Sequence, residues 1–91
     1  MAQARLCPSL LAADFSCLSK QIDPLKEMGI RHLHIDMMDA HYVANLAIGL
    51  PATASLRRHY PEMELDAHLE LENPEVLIDR LVEIGVDYVN V

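Results

Sequence analysis

The sequence predicts an α/β fold of the parallel (β/α) TIM-barrel type, with only about the first half present: strands 1–4 and helices 1–3. Three observations carry that expectation. Strand-like and helix-like runs alternate along the chain, the pattern of parallel βα units. A repeat links two junctions: Leu25-Lys-Glu-Met-Gly-Ile30 aligns with Leu81-Val-Glu-Ile-Gly-Val86, and Leu33-His-Ile35 with Val89-Asn-Val91. Gly29 thus matches Gly85, 56 positions on, which is two units of about 28 residues. The chain has 91 residues, against the roughly 250 of a complete eight-stranded barrel.

The elements follow in order. Residues 5–9 (Arg-Leu-Cys-Pro-Ser) read as a short buried strand entering the small-residue turn 11–14. A helix is expected from about Ser16, with Leu18, Ile22, Leu25 and Met28 at helical spacing. Pro24 should kink or split it, and Gly29 should stop it. Residues 32–37 alternate with period two as a strand. The polar loop 39–45 leads to Gly49 and a short helix from near Pro51 to Pro61. Residues 63–69 form the next strand. Asn73-Pro74-Glu75 opens a helix with an N-cap, a proline and an acid, running through Leu77, Ile78, Leu81 and Ile84 to Gly85. Residues 87–91 begin a fourth strand. An uncovered last strand would leave unpaired backbone groups along its edge. The expectation is therefore that 1–91 is the N-terminal part of one barrel domain.

Composition excludes several classes of function. Lys+Arg total 7 and Asp+Glu 14, a net charge of −7 with His neutral. Such a chain lacks the basic face that a general nucleic-acid binder needs. Hydrophobic residues make up 52%, enough for a core. No apolar run approaches the roughly 20 residues of a membrane span, and residues 1–8 lack the apolar stretch of a secretory signal. Cys7 and Cys17 make no disulfide framework, and a reducing cytoplasmic setting is expected.

The chemistry-bearing residues sit on the strands. His32, His34 and Asp36 share one face of their strand, and Asp66 and His68 share a face of the next. In a parallel sheet both faces are covered, so imidazoles and carboxylates pointing inward need a reason. His34, Asp36 and His68 would lie at neighbouring strand ends, where barrel enzymes place their sites. Two imidazoles and a carboxylate suit Zn, Fe(II) or a similar divalent ion. Surface histidines on a differently folded chain would explain the same letters. His32 with His34 also makes a His-x-His pair, a pattern of metal-dependent amidohydrolases that belongs on a first strand.

Three segments carry a resemblance. Pro8-Ser-Leu-Leu-Ala-Ala-Asp-Phe15, then His34-Ile-Asp-Met-Met-Asp39 with Ala-His-Tyr-Val-Ala-Asn45, then Asp66-Ala-His-Leu69 are similar in order and spacing to the ribulose-phosphate 3-epimerase family. The resemblance implies a metal-dependent isomerase interconverting D-ribulose 5-phosphate and D-xylulose 5-phosphate. The C3 proton moves through a metal-stabilised enediolate. It further implies that His34, Asp36 and His68 are three of four ligands to a divalent ion (Zn, Fe(II), Mn or Co). Asp36 would also be one of two acid/base carboxylates. Ser9 and His68 would contact the phosphorylated ketose, and Met38 would help form an apolar cap. At full length a homo-oligomer is implied, with neither nucleic acid nor membrane as partner. A six-carbon substrate such as allulose 6-phosphate is the near alternative. A truncated, non-catalytic family member acting as a binding or assembly partner is the other.

The chain departs from the family pattern in two places. Ala44 stands where the pattern has Pro, and Glu70 stands where it has Met. Glu70 falls on the His68 side of its strand. The family's second catalytic Asp and its glycine-rich phosphate loops would lie beyond Val91. With only Gly29, Gly49 and Gly85, this stretch offers no phosphate cradle. Asp39 and His41 read as loop-holding residues, His59 and Tyr60 as surface groups, and Cys7 and Cys17 as small buried hydrophobes. Glu62, Glu64, Glu70, Glu72 and Glu75 read as a solvated rim.

Overall fold

In the computed structural model, which describes residues 4–91, a four-stranded sheet runs in the order β2-β1-β3-β4. The strands are β1 (His32–Asp39), β2 (Leu46–Ala47), β3 (Glu64–Glu70) and β4 (Tyr88–Asn90). Helices α1 (Leu18–Glu27), α2 (Leu50–His59) and α3 (Glu75–Ile84) alternate with them. β1 pairs with β3 in parallel from His32↔Glu64 to Met38↔Glu70, and β3 pairs with β4 in parallel. Only the two-residue β2 is antiparallel, against Met38 and Asp39. The sheet is open, so the fold is α/β and of partial TIM-barrel type.

The expected first strand is the main correction. Of residues 5–9, Ser9 alone makes a bridge, parallel to His34, with the His34 N–H donating to the Pro8 carbonyl at 2.9 Å. Pro8 has no N–H to return, which limits the ladder. β3 lines one edge of β1 throughout, so this bridge and β2 share the other. Ser9 then caps a 3₁₀ turn (Leu10–Ala12) by accepting from the Leu11 N–H.

α1 differs from expectation at its start and in the middle, and Gly29 stops it as expected. Asp14, rather than Ser16, caps the entry: its Oδ1 accepts the Ser16 N–H at 3.0 Å and hydroxyl at 2.6 Å, opening a 3₁₀ turn (Phe15–Cys17). Pro24 neither kinks nor splits the helix, which is continuous across it. The ring removes only the bond to the carbonyl of Lys20, an exposed residue whose carbonyl can turn to water. Gly29 and Gly85 both adopt positive φ, 92° and 95°. The repeat seen in the sequence is therefore a repeated left-handed helix stop.

One face of the sheet is dry. Leu33, Ile35 and Met37 of β1 and Leu65, Ala67 and Leu69 of β3 pack with Ile22, Leu56 and Leu81 from the helices. Tyr60 is a second correction: it is buried in this core, its hydroxyl donating to Asp23 at 2.7 Å. Arg57 of α2 ties several chain ends together. Its guanidinium donates to the Gly85 carbonyl (3.0 Å), Asp87 (3.0 Å), the Tyr60 carbonyl (2.9 Å) and the Pro61 carbonyl (3.0 Å), and also to the Met63 carbonyl. Asp87 in turn exchanges hydrogen bonds of 2.9 Å with the Leu65 backbone on both sides. Among the described residues no helix is long and apolar enough to cross a membrane.

Candidate metal centre

The period-two alternation puts polar side chains on the sheet's other face, and the parallel register stacks them in rows. His34 lies opposite Asp66, Asp36 opposite His68, and Met38 opposite Glu70. β4 adds Tyr88 beside Asp66 and Asn90 beside His68. His34, Asp36 and His68 converge: one donor atom from each lies within 4.8 Å of the others. His34 Nε2 is 3.1 Å and His68 Nδ1 3.4 Å from Asp36 Oδ1. The Ser9 hydroxyl donates to Asp36 Oδ2 at 2.5 Å. Asp36 keeps 10% of its side-chain surface exposed, His34 24% and His68 39%, so the group sits at the surface of the open face.

Burial works against ionising Asp36, but contacts outweigh it. Hydrogen bonds from Ser9 and Glu70, with the charge of His34, hold its carboxyl below the usual carboxylate range. Glu70 is pushed up, first by its hydrogen bond with Asp36 and then by desolvation.

The spacing of these atoms suits a cation. Zinc-to-nitrogen and zinc-to-oxygen distances near 2.1 Å place tetrahedral ligands about 3.4 Å apart. The 3.1 and 3.4 Å separations from Asp36 Oδ1 lie close to that edge length. The third pair, His34 and His68, has donor atoms within 4.8 Å, so the three side chains are arranged as a candidate set for a divalent ion.

Sequence reasoning missed the support for His34. Asp66 Oδ2 lies 3.1 Å from His34 Nδ1, while Asn90 Nδ2 donates to the other Asp66 oxygen. A carboxylate behind a ligating imidazole fixes its tautomer and orientation. Counting alternation across β1 and β3 in register would have found this pair. Cys7 also comes near His34 and Asp66 as a second donor group. It is exposed rather than buried, and Cys17 is half-buried, correcting that expectation. Partial desolvation of the sulfur, with Asp66 and Glu64 nearby, pushes the Cys7 thiol up, the opposite of what activates a nucleophile. His32 stands apart, 3.8 Å from Glu64 and against the Tyr88 ring at 5.5 Å. Met38 is half-buried and lines an apolar groove of about 710 Å³ with Phe15, Leu46 and Leu71.

Asp39 organises the loop that follows β1. Its Oδ1 accepts the His41 and Tyr42 N–H groups at 2.8 Å each, and its Oδ2 accepts the Glu72 N–H at 2.9 Å. Ala40 turns at φ 63°, and its N–H meets the Asn45 carbonyl at 2.8 Å. These donors, led by Glu72, hold the Asp39 carboxyl low. Its contribution to stability is present above the ordinary carboxylate pKa and fades as pH falls through the depressed folded value. Asp39→Ala is expected to lower Tm by a few degrees at pH 7 and to converge on the parent in strong acid. Equal Tm differences at both pH values by circular dichroism would contradict this.

Comparison with known proteins agrees with this layout. A family model described as the ribulose-phosphate 3 epimerase family matches residues 5–91. The chain is 42% identical over 87 residues to a ribulose-phosphate 3-epimerase of Schizosaccharomyces pombe, covering 93% of this chain and 38% of that protein. It is 40% identical over 84 residues to the cytoplasmic isoform from Oryza sativa (92% and 36% covered), and 36% identical over 87 residues to the Bacillus subtilis enzyme (96% and 40%). The chain thus spans about two-fifths of the length of the curated relatives it matches. With a match running over nearly every residue, and with the strand-borne motifs gathered at one end of a parallel sheet, the chain belongs to the ribulose-phosphate 3-epimerase family.

Proposed function

We propose that residues 1–91 form the N-terminal part of a single (β/α)8 barrel domain whose activity is metal-dependent 3-epimerisation. The substrates are D-ribulose 5-phosphate and D-xylulose 5-phosphate. The observation that carries this reading is Asp36: an ionised carboxylate held by Ser9 and flanked by the two imidazoles. A carboxylate so fixed can take the proton at C3 from the face it addresses, and inversion is completed when a second acid delivers a proton to the opposite face. His34, Asp36 and His68 would hold the divalent ion, with Asp66 orienting His34. When bound, the ion supplies Lewis-acid stabilisation of the negative charge developing on the substrate oxygens. Ser9 and His68 line the substrate side, and Met38 shields it from water.

The donor set suits Zn, Fe(II), Mn or Co. The setting proposed is cytoplasmic, and the complete protein a homo-oligomer. Incubating the complete protein with D-ribulose 5-phosphate should yield D-xylulose 5-phosphate, and a strong chelator should stop the conversion. Persistence of the reaction after metal removal would count against the reading. A six-carbon ketose phosphate would undergo the same chemistry, and comparing kcat/KM for the two sugars decides between them.

The 91-residue chain alone is expected to show no turnover. Asp36, Asp66 and Glu70 all project from one face of one sheet, so they can deliver protons to only one side of a substrate. Inversion needs an acid on the other side. NMR of D-ribulose 5-phosphate mixed with the chain and each candidate metal should show no conversion above buffer. Metal-dependent conversion would refute it.

A further inference from the structure

We propose that Glu70 is a further donor to the cation held by His34, Asp36 and His68, so that four side chains from two adjacent strands surround it. This rests on the metal-centre reading above and goes beyond it. β3 places Glu70 two residues past His68 on the same face, opposite Met38 of β1. Its Oε1 lies 3.5 Å from His68 Nδ1, and Asp36 Oδ1 lies 3.4 Å from that same nitrogen. Both separations match the edge of about 3.4 Å expected of a tetrahedral site. Glu70 is thus arrayed around His68 as Asp36 is.

Two further features favour a cation over a solvated rim. The Glu70 side chain is only 20% exposed, although a rim glutamate would extend into water. Its carboxyl also contacts that of Asp36. Among the described residues no Lys or Arg forms an ion pair with either group, and their basic neighbours are the imidazoles of His34 and His68. Two adjacent carboxylates without a fixed cation repel each other, and a divalent ion neutralises both. Glu70 stands outside the trio whose donor atoms all lie within 4.8 Å of one another, so its side chain must rotate to join them. The family pattern has Met at this place, which could supply no hard oxygen donor. Here the departure from the pattern adds an oxygen donor beside the other three.

Titration of the 91-residue chain with Co(II), followed by visible d–d absorption, tests this. The parent chain should develop the strong absorption of a low-coordinate Co(II) site. Glu70→Gln and Glu70→Met should each weaken Co(II) binding by about 10-fold or more and reduce the absorption, with far-UV circular dichroism unchanged. Parent-like affinity and spectrum in either folded variant overturn the role of Glu70. Asp36→Asn separates the two readings: its loss of binding alongside parent-like Glu70 variants leaves a three-donor site. No binding by the parent chain defeats both readings together.

Discussion

Asp36→Asn, made in the complete protein, is expected to slow exchange of the substrate C3 proton by about 10²- to 10⁴-fold. The substitution keeps the side chain's size and one acceptor oxygen, so the hydrogen bond from Ser9 can survive. The proton-accepting charge does not. An amide cannot take a proton from carbon at neutral pH, and it is a poorer cation ligand than a carboxylate. Both losses act in the same direction, which makes this the largest effect expected of any single substitution. Wash-in of solvent deuterium at C3, followed by NMR, measures it directly. An undiminished rate would remove Asp36 from the chemistry.

The second large effect concerns the dry face. Leu65 is fully buried on β3, facing the helices, and its backbone is bonded on both sides to Asp87. Leu65→Ala should cost about 2–5 kcal/mol, the sum of lost transfer energy and the cavity left behind. A small domain's whole stability is about 5–15 kcal/mol, so much of the margin disappears. Urea unfolding should show a lower midpoint with an unchanged slope. Val82→Ala, at a position 66% exposed, should stay within about 0.5 kcal/mol of the parent. Similar losses for the two variants would mean that the helices do not cover this face of the sheet.

Much of this layout is legible in the letters. Strands β1 and β3 show themselves because inward carboxylates and imidazoles alternate with outward aliphatics over 32–37 and 64–69. The α3 helix starts one residue later than expected, with Pro74 rather than Asn73 at its cap. The elements that were misread are those whose outcome depends on neighbours. Residues 5–9 are apolar enough for a strand, but Pro8 and a shared edge leave one bridge. β2 is too short to produce any periodic signal. Pro24 is harmless because the carbonyl it strands belongs to an exposed turn.

The site divides in the same way. His34, Asp36 and His68 lie together because two parallel strands in simple register bring like positions level, and the bridge to His34 adds Ser9. Asp66 behind His34, Asn90 behind Asp66 and Cys7 nearby depend on which residue faces which across strands. No single-strand periodicity carries that information. Tyr60 looked like a surface group because its partner, Asp23, is 37 positions away.

The reach of Arg57 has a consequence for how the molecule opens. One guanidinium holds the end of α2, the approach to β3 and the turn after α3, so fraying at any one of them strands acceptors belonging to the others. These three termini therefore loosen as one cooperative block. A single side chain makes the second and third βα units depend on each other for survival.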